Sequence, residues 1–493
     1  VVVLAEETRA GRGDEKEGFV KEITARAADF SRWYIDVIRK ADLVDYAPVR
    51  GCMVIKPGGY ALWEKVQEGL DRRFKATGHR NAYFPLFIPQ SFVEMEKEHV
   101  EGFAPELPWV TEVGGEQLQE KLAVRPTSET IICSMYSKWI QSYRDLPMLL
   151  NQWCNVVRWE KRTLPFLRTS EFLWQEGHTA HRTEDEAVAE TIQMLRVYQD
   201  FVENDLAIPV IPGLKTEKEK FAGAVRTYCI EALMQDGRAL QSGTSHFLGQ
   251  NFAKPFNIQF LDADGQLKYV WQTSWGMSTR IIGALVMVHG DDRGLVIPPK
   301  VAEIQVVIVP IAPVKERPKV IERAGQIAAE LAEVARVHVD DREEHSPGWK
   351  FNEWELKGVP IRVEIGPRDL KAGQAVMVRR DTGVKEPVPL TELKDKVTAT
   401  LAAIQTDLYD RAKRLMAENT HRVRDYDEFK EVMESRRGFV VAGWCGDPGC
   451  EAKVKEETGA TIRCLPLDQP DDPGTCLVCG GKATSQAHFA RAY

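Results

Sequence analysis

The stretch Asn155-Val-Val-Arg158-Trp-Glu160-Lys-Arg-Thr-Leu-Pro-Phe-Leu-Arg168-Thr169-Ser-Glu-Phe172-Leu-Trp174-Gln-Glu176-Gly-His178 decides how this chain is read. Ahead of Arg158, the apolar residues Leu149, Trp153 and Val157 recur at even spacing, as along a strand buried on one face. After Arg168, Phe172 and Trp174 resume that spacing, and the intervening loop carries Lys161, Arg162, Pro165 and Arg168. The reading is a hairpin with a basic tip, whose strands bear an arginine and a glutamate where a sheet interior disfavours charge. Arg158 and Glu160 form a surface ion pair on one account. On the other, Arg158 awaits an anionic ligand while Glu160 and Phe172 flank a flat heterocycle.

Working outward, Leu122-Ala-Val-Arg125-Pro-Thr127-Ser128-Glu129-Thr130 leads into a helix through Ile140. Thr127 or Ser128 is expected to cap it. Glu129, in the first turn, suits the helix dipole or grips a ligand ammonium. Before this, Phe30, Trp33, Val37, Ile38 and Ala41 form a helical stripe, and Leu62, Val66, Leu70 and Phe74 predict a helix over 60–78. A Pro-containing strand over 82–88 is expected at a sheet edge, where a second subunit can meet it. Residues 1–20 are charged and glycine-containing and read as mobile.

Downstream, Thr183-Glu-Asp-Glu186 is a capping box opening a helix with Val188, Ile192, Leu195 and Val202. The run Lys215–Lys220 reads as a solvated face. Phe221, Glu231, Gln241, Thr244 and His246 fall on or beside strand-like stretches. Ser274–Asp292 joins a strand to an apolar helix, with Gly276, Ser278 and Arg280 at the junction. An arginine there pairs with a local carboxylate on one account; in line with Arg158, it holds phosphates on the other.

The texture changes at Pro298-Pro299. Strand–helix alternation from Ile304 to Val378 predicts a small α/β domain over 301–405 with a parallel or mixed sheet. Its segment Gly348–Lys357 mixes aromatic and charged residues, which suits either unstacked bases or an amphipathic surface helix. The part from 406 holds five of the nine cysteines. Cys445-x4-Cys450 and Cys476-x2-Cys479 match a closed tetrahedral zinc site, and Cys464 is expected as a buried thiol.

With 493 residues the chain exceeds one core. Its 65 basic and 73 acidic side chains leave a net charge of −8, so any polyanion site must be a local patch. The apolar run Ile281–Val288 is too short to span a bilayer, and Val1–Ala5 too short for a leader core. Isolated cysteines suit a reducing, cytoplasmic setting.

Together these pieces resemble the class II aminoacyl-tRNA synthetases. The helix and strand to Pro85 resemble the family's motif 1, Arg158-Trp-Glu160 with Phe172 its motif 2, and the segment ending in Arg280 its motif 3. Arg125-Pro-Thr127-Ser128-Glu129, Glu176-Gly-His178 and Gly243-Thr-Ser-His246 are similar to those of prolyl-tRNA synthetases, of the archaeal and eukaryotic type. The interval from Phe172 to Arg280 is too short for the editing insertion of the bacterial type. The resemblance implies an α+β catalytic core on an antiparallel sheet over 21–300, an α/β anticodon-binding domain over 301–405 and a small zinc-binding α+β domain over 406–493. It implies a homodimer that uses ATP with magnesium to attach L-proline to tRNA(Pro).

It also implies roles. Arg158 bridges the proline carboxylate and α-phosphate, and Arg280 holds the γ-phosphate. Phe172 stacks on adenine, bounded by Glu160, Arg168 and Thr169. Gln241, Thr244 and Ser278 contact ATP, with Glu231 and Gln241 near magnesium. Thr127 and Glu129 take the ammonium. Trp174, Phe221 and His246 wall the ring, backed by Glu176 and His178. Lys350, Glu353, Lys357, Arg362 and Arg368 are the anticodon candidates, and Cys445, Cys450, Cys476 and Cys479 the zinc ligands. An apolar slot discriminates by only ~1–3 kcal/mol per methylene, so misactivation of alanine or cysteine is expected. The competing readings are a threonine or serine enzyme of the same subclass, and a non-catalytic RNA-binding relative lacking the ATP-holding arginines.

Overall fold

The computed structural model describes residues 23–99 and 106–493; the segment 1–20, expected to be mobile, lies outside the described residues. The decisive hairpin forms as read. Met148–Val157 pairs antiparallel with Glu171–His181, from Met148 opposite Ala180 to Val157 opposite Glu171. Trp271–Ser278, Ala239–Gly249, Arg226–Leu233 and Ile211–Leu214 add in turn, so the centre of the sheet is antiparallel. The helices Pro57–Ala76 and Glu184–Asn204 close its back. There Leu70, Phe74, Tyr198, Phe201 and Trp275 share one core. Gly177 makes this possible: a Cβ there would lie 2.1 Å from the Trp275 ring.

Two local readings are corrected. The helix expected over 60–78 starts at Pro57, because proline at the first position lacks only a donor that a helix leaves unused. The single strand expected over 82–88 is two short ones, Arg80–Asn81 and Phe87–Pro89, in different sheets. Between them the ladder gives way to side chains. The Phe84 N–H donates to the Gln152 amide, and the buried Arg125 guanidinium takes the Phe84 carbonyl at 2.6 Å and Asn155 O at 2.9 Å.

The next domain has a mixed five-stranded sheet. Val337–Val339, Val306–Pro310 and Ile361–Ile365 run parallel, followed by antiparallel Gln374–Arg379 and Lys385–Pro389. The boundary expected at 405/406 falls inside one continuous helix, Leu393–Glu418, which carries Leu401, Ile404 and Leu408 into that domain's core and Ala412 into the catalytic one.

The C-terminal strands are not a detached module. Thr461–Pro466 pairs with Ile211–Leu214, extending the catalytic sheet to eleven strands. Gly213 permits the junction, since a Cβ there would meet the Leu465 carbonyl oxygen at 2.6 Å. Among the described residues no helix is long and apolar enough to cross a membrane.

Candidate active site

Rows of opposed residues floor a cavity on the catalytic sheet. Thr227, His246, Ser274 and His178 face one another across four strands. The next row is Thr244, Gly276, Glu176 and Gln152, and the next Ser278, Trp174 and Cys154. Rows two residues apart project to the same face of a sheet. Above them lies a cavity of about 250 Å³. It is lined by ten expected residues: Thr127, Glu129, Arg158, Trp174, Glu176, His178, Phe221, Gln241, Thr244 and His246.

Glu176 is buried at the cavity floor. It accepts from Ser128 N at 3.1 Å, Gln152 Nε2 at 2.9 Å, His178 Nε2 at 3.0 Å and the Ser128 hydroxyl. Burial disfavours its charge, but the His178 bond and charge, with Ser128 and Gln152, hold its pKa below the ordinary carboxylate value. Burial likewise opposes the His178 cation, yet the bond to Glu176 and the charges of Glu129 and Glu176 raise its pKa. The hydroxyls expected to cap the helix Glu129–Trp139 do not: Thr127 donates to Glu129 and Ser128 to Glu176. Both hydroxyls therefore serve carboxylates at the site.

Arg158 donates from Nε to Pro126 O at 3.0 Å, and its head group lies 5.5 Å from the Phe172 ring centre and 5.2 Å from that of Trp174. Arg280 donates from Nε to Leu167 O at 3.0 Å. Neither forms an ion pair with a carboxylate among the described residues. Desolvation lowers the pKa of both, and the Arg158 charge lowers that of Arg280 further. Glu129, Glu176 and Glu160 oppose the shift at Arg158. The Arg158–Glu160 surface pair fails, because Glu160 binds Arg168 at 2.7 Å instead.

Glu160, Arg168, Thr169, Phe172, Ser278 and Arg280 do not line the cavity. Phe172 lies under Arg158, Ser278 is opposite Trp174, and Arg280 bonds the carbonyl next to Arg168. Thr169 is buried, its hydroxyl on Glu171 O at 2.7 Å. Glu231 does not suit magnesium. It is fully buried, 2.7 Å from Lys215 Nζ and 3.1 Å from Arg463 Nη2. This also corrects the reading of Lys215–Lys220 as a solvated face: Lys215 is buried, and Glu219 and Lys220 line the cavity. Thr227 and Ser274 line it as well. Ser274 stands two residues from Gly276, which was the available signal for it; Thr227 meets His246 only across paired strands.

In the α/β domain the anticodon candidates divide. Lys350 is buried on Asp340, donating to its carbonyl at 2.9 Å, so it braces the fold and cannot meet RNA. Glu353 pairs with Arg342 and, at 2.9 Å, with Lys357. Arg362 pairs with Glu364 at 2.8 Å and covers Phe351. Arg368 is exposed.

The sulfurs of Cys445, Cys450, Cys476 and Cys479 all lie within 4.8 Å of one another, with Cys445 3.7 Å from Cys450 and 3.8 Å from Cys479. Zinc–sulfur bonds of about 2.3 Å in a tetrahedron require sulfurs about 3.8 Å apart, so the set fits. Cys464 is buried, as expected.

Three family models match the chain: "tRNA synthetase class II core domain (G, H, P, S and T)" over residues 109–289, "Anticodon binding domain" over 305–400 and "Prolyl-tRNA synthetase, C-terminal" over 426–493. A proline–tRNA ligase of Symbiobacterium thermophilum is 63% identical over 97% of this chain and 100% of its own length, and one of Natranaerobius thermophilus is 62% identical over 97% and 99%. A crystal structure of prolyl-tRNA synthetase from Cryptosporidium parvum, complexed with halofuginone and AMPPNP, superposes with a TM-score of 0.90 at 42% identity, covering 95% of this chain and 99% of that one. A class II core with unspent arginines, followed by anticodon-binding and C-terminal domains at these identities, makes the chain a member of the prolyl-tRNA synthetase family of class II aminoacyl-tRNA synthetases.

Proposed function

We propose that the chain ligates L-proline to tRNA(Pro) in two steps, ATP-dependent formation of prolyl-adenylate and transfer to the tRNA 3′ end. The observation that carries this is the pair Arg158 and Arg280, two guanidinium groups without carboxylate partners among the described residues, the first lining a small cavity with Thr127 and Glu129. The proline carboxylate attacks the α-phosphorus and pyrophosphate leaves. Both reactants are anionic, so fixed cations contribute more than an acid or base. Arg158 bridges carboxylate and α-phosphate, and Arg280 holds the γ-phosphate. Phe172 stacks on adenine beside Glu160, Arg168 and Thr169, while Gln241, Thr244 and Ser278 contact ATP. Glu129 and Thr127 receive the ammonium; Trp174, Phe221 and His246 enclose the ring over Glu176 and His178. Gln241 is the cavity residue that would hold magnesium, which would offset phosphate charge when bound with ATP.

The zinc site is structural, because four thiolates leave no position for substrate. Metal analysis should find about one zinc per chain; a folded, zinc-free protein contradicts the site. The domain from 301 to the helix ending at Glu418 binds the anticodon, with Lys357 and Arg368 toward RNA and Arg362 held on Glu364 instead. The exposed Tyr83, following the edge strand Arg80–Asn81, and the exposed Phe87 support a homodimer, testable by sedimentation. The five cysteines outside the zinc set, none of them in a disulfide, support a cytoplasmic setting. Pyrophosphate exchange across an amino-acid panel tests the function. Proline should lead, with weak alanine and cysteine signals. Exchange driven by threonine or serine instead rejects the assignment.

A further inference from the structure

His246 has one hydrogen-bond partner in the cavity wall, and that partner holds a second bond. Thr227 Oγ1 lies 3.0 Å from His246 Nδ1, and the Phe221 N–H donates to the same oxygen at 3.0 Å. Thr227 is only 2% exposed, and no other acceptor for its hydroxyl proton is found among the described residues. If Thr227 accepted from Nδ1 as well, its own proton would be buried and unpaired, a costly state. The hydroxyl therefore donates to Nδ1, and His246 carries its proton on Nε2, which has no partner among the described residues. Burial, together with the charges of His178 and Arg158, pulls the His246 pKa down to about 3, so the ring is neutral. The same hydroxyl also anchors the adjoining wall through the Phe221 N–H, and the Phe221 ring lies 5.1 Å from the imidazole.

We propose that Thr227 is a positioning residue for imino-acid binding: it sets His246 as the Nε2–H tautomer and pins Phe221 against that ring, so one hydroxyl fixes two walls of the pocket. This rests on the reading of the cavity as the proline pocket. A neutral N–H donor beside Arg158 suits an anionic ligand without adding a third cation.

The test uses the full chain labelled with ¹⁵N-histidine, free of substrate, with the His246 signals identified by their absence from His246→Phe. The wild type and Thr227→Ser should show the Nε2–H tautomer, and Thr227→Val a mixture. In proline-dependent exchange, Thr227→Val should raise the proline KM about tenfold with kcat and the ATP KM little changed, and Thr227→Ser should restore it. An Nδ1–H tautomer in the wild type overturns the proposal even if Thr227→Val does not fold. So does a Thr227→Val protein with the wild-type tautomer or the wild-type proline KM. If His246→Phe also leaves the proline KM unchanged, the pocket reading itself has failed; if it raises the KM while Thr227→Val does not, only the role of Thr227 has.

Discussion

In the seam between the catalytic and anticodon-binding domains, Arg380 is almost fully buried and forks onto Asp291 at 2.8 and 2.7 Å, with Nε on the Glu355 carbonyl at 2.7 Å. In the catalytic cavity, Arg158 has one backbone carbonyl and two aromatic faces. Both guanidiniums are crowded by protein, yet only one has its charge neutralised from within. A buried charge is tolerated when a partner answers it. Where the partner is missing in a crowded site, the molecule keeps the charge for a ligand, and its own stability gains nothing from it. The α/β domain follows the seam, since Lys350, Arg362 and Glu353 are all satisfied internally.

This contrast can be broken by experiment. The largest effect is expected at Arg158: Arg158→Ala should lower proline-dependent exchange by about 10³-fold or more with the melting profile unchanged. Retained exchange removes it from the chemistry. At Arg380 the pattern should invert. Arg380→Ala leaves Asp291, itself partly exposed, without its fork and should cost about 2 kcal/mol in denaturant melts, while exchange per folded molecule stays within about twofold. An unchanged melt would show that the seam does not depend on the pair.

A smaller effect concerns the Glu176–His178 pair, where ligand chemistry and internal satisfaction meet. The raised His178 pKa contributes stability that is complete below the ordinary imidazole value and lost as pH rises through the folded one. The lowered Glu176 pKa contributes stability present above the ordinary carboxylate value and lost as pH falls through the folded one. The pair is worth most between them. His178→Gln should flatten the upper decline of a stability–pH profile, on the order of 1 kcal/mol; an unaltered profile argues against a charged His178. The smallest change belongs to Arg368→Ala. It should reduce the salt slope of tRNA binding by about one and leave exchange untouched.

Local patterns were legible and distant partners were not. The hairpin, the helix Phe30–Lys40 and the four-cysteine set follow from spacing within short windows. Lys215 looked solvated because its partners Glu231 and Arg463 sit on other strands, the latter in the C-terminal sheet. Lys350 looked available for RNA because Asp340 lies on another element. Ser128 looked like a helix cap until a fold placed Glu176 above it. The ten cavity-lining residues were recoverable because the resemblance supplied the tertiary placement that periodicity lacks. The helix Leu393–Glu418 crosses the boundary expected at 405/406, and its packing on two cores depends on residues far away in the chain.

The central claim is that Arg158 and Arg280 converge on one nucleotide. A crystal structure of this chain with proline and a non-hydrolysable ATP analogue tests it directly. Both guanidiniums should lie about 3 Å from phosphate oxygens of a single analogue, with Arg158 also on the proline carboxylate. An analogue bound elsewhere, or an Arg280 that stays on the Leu167 carbonyl with no phosphate in reach, would contradict the account.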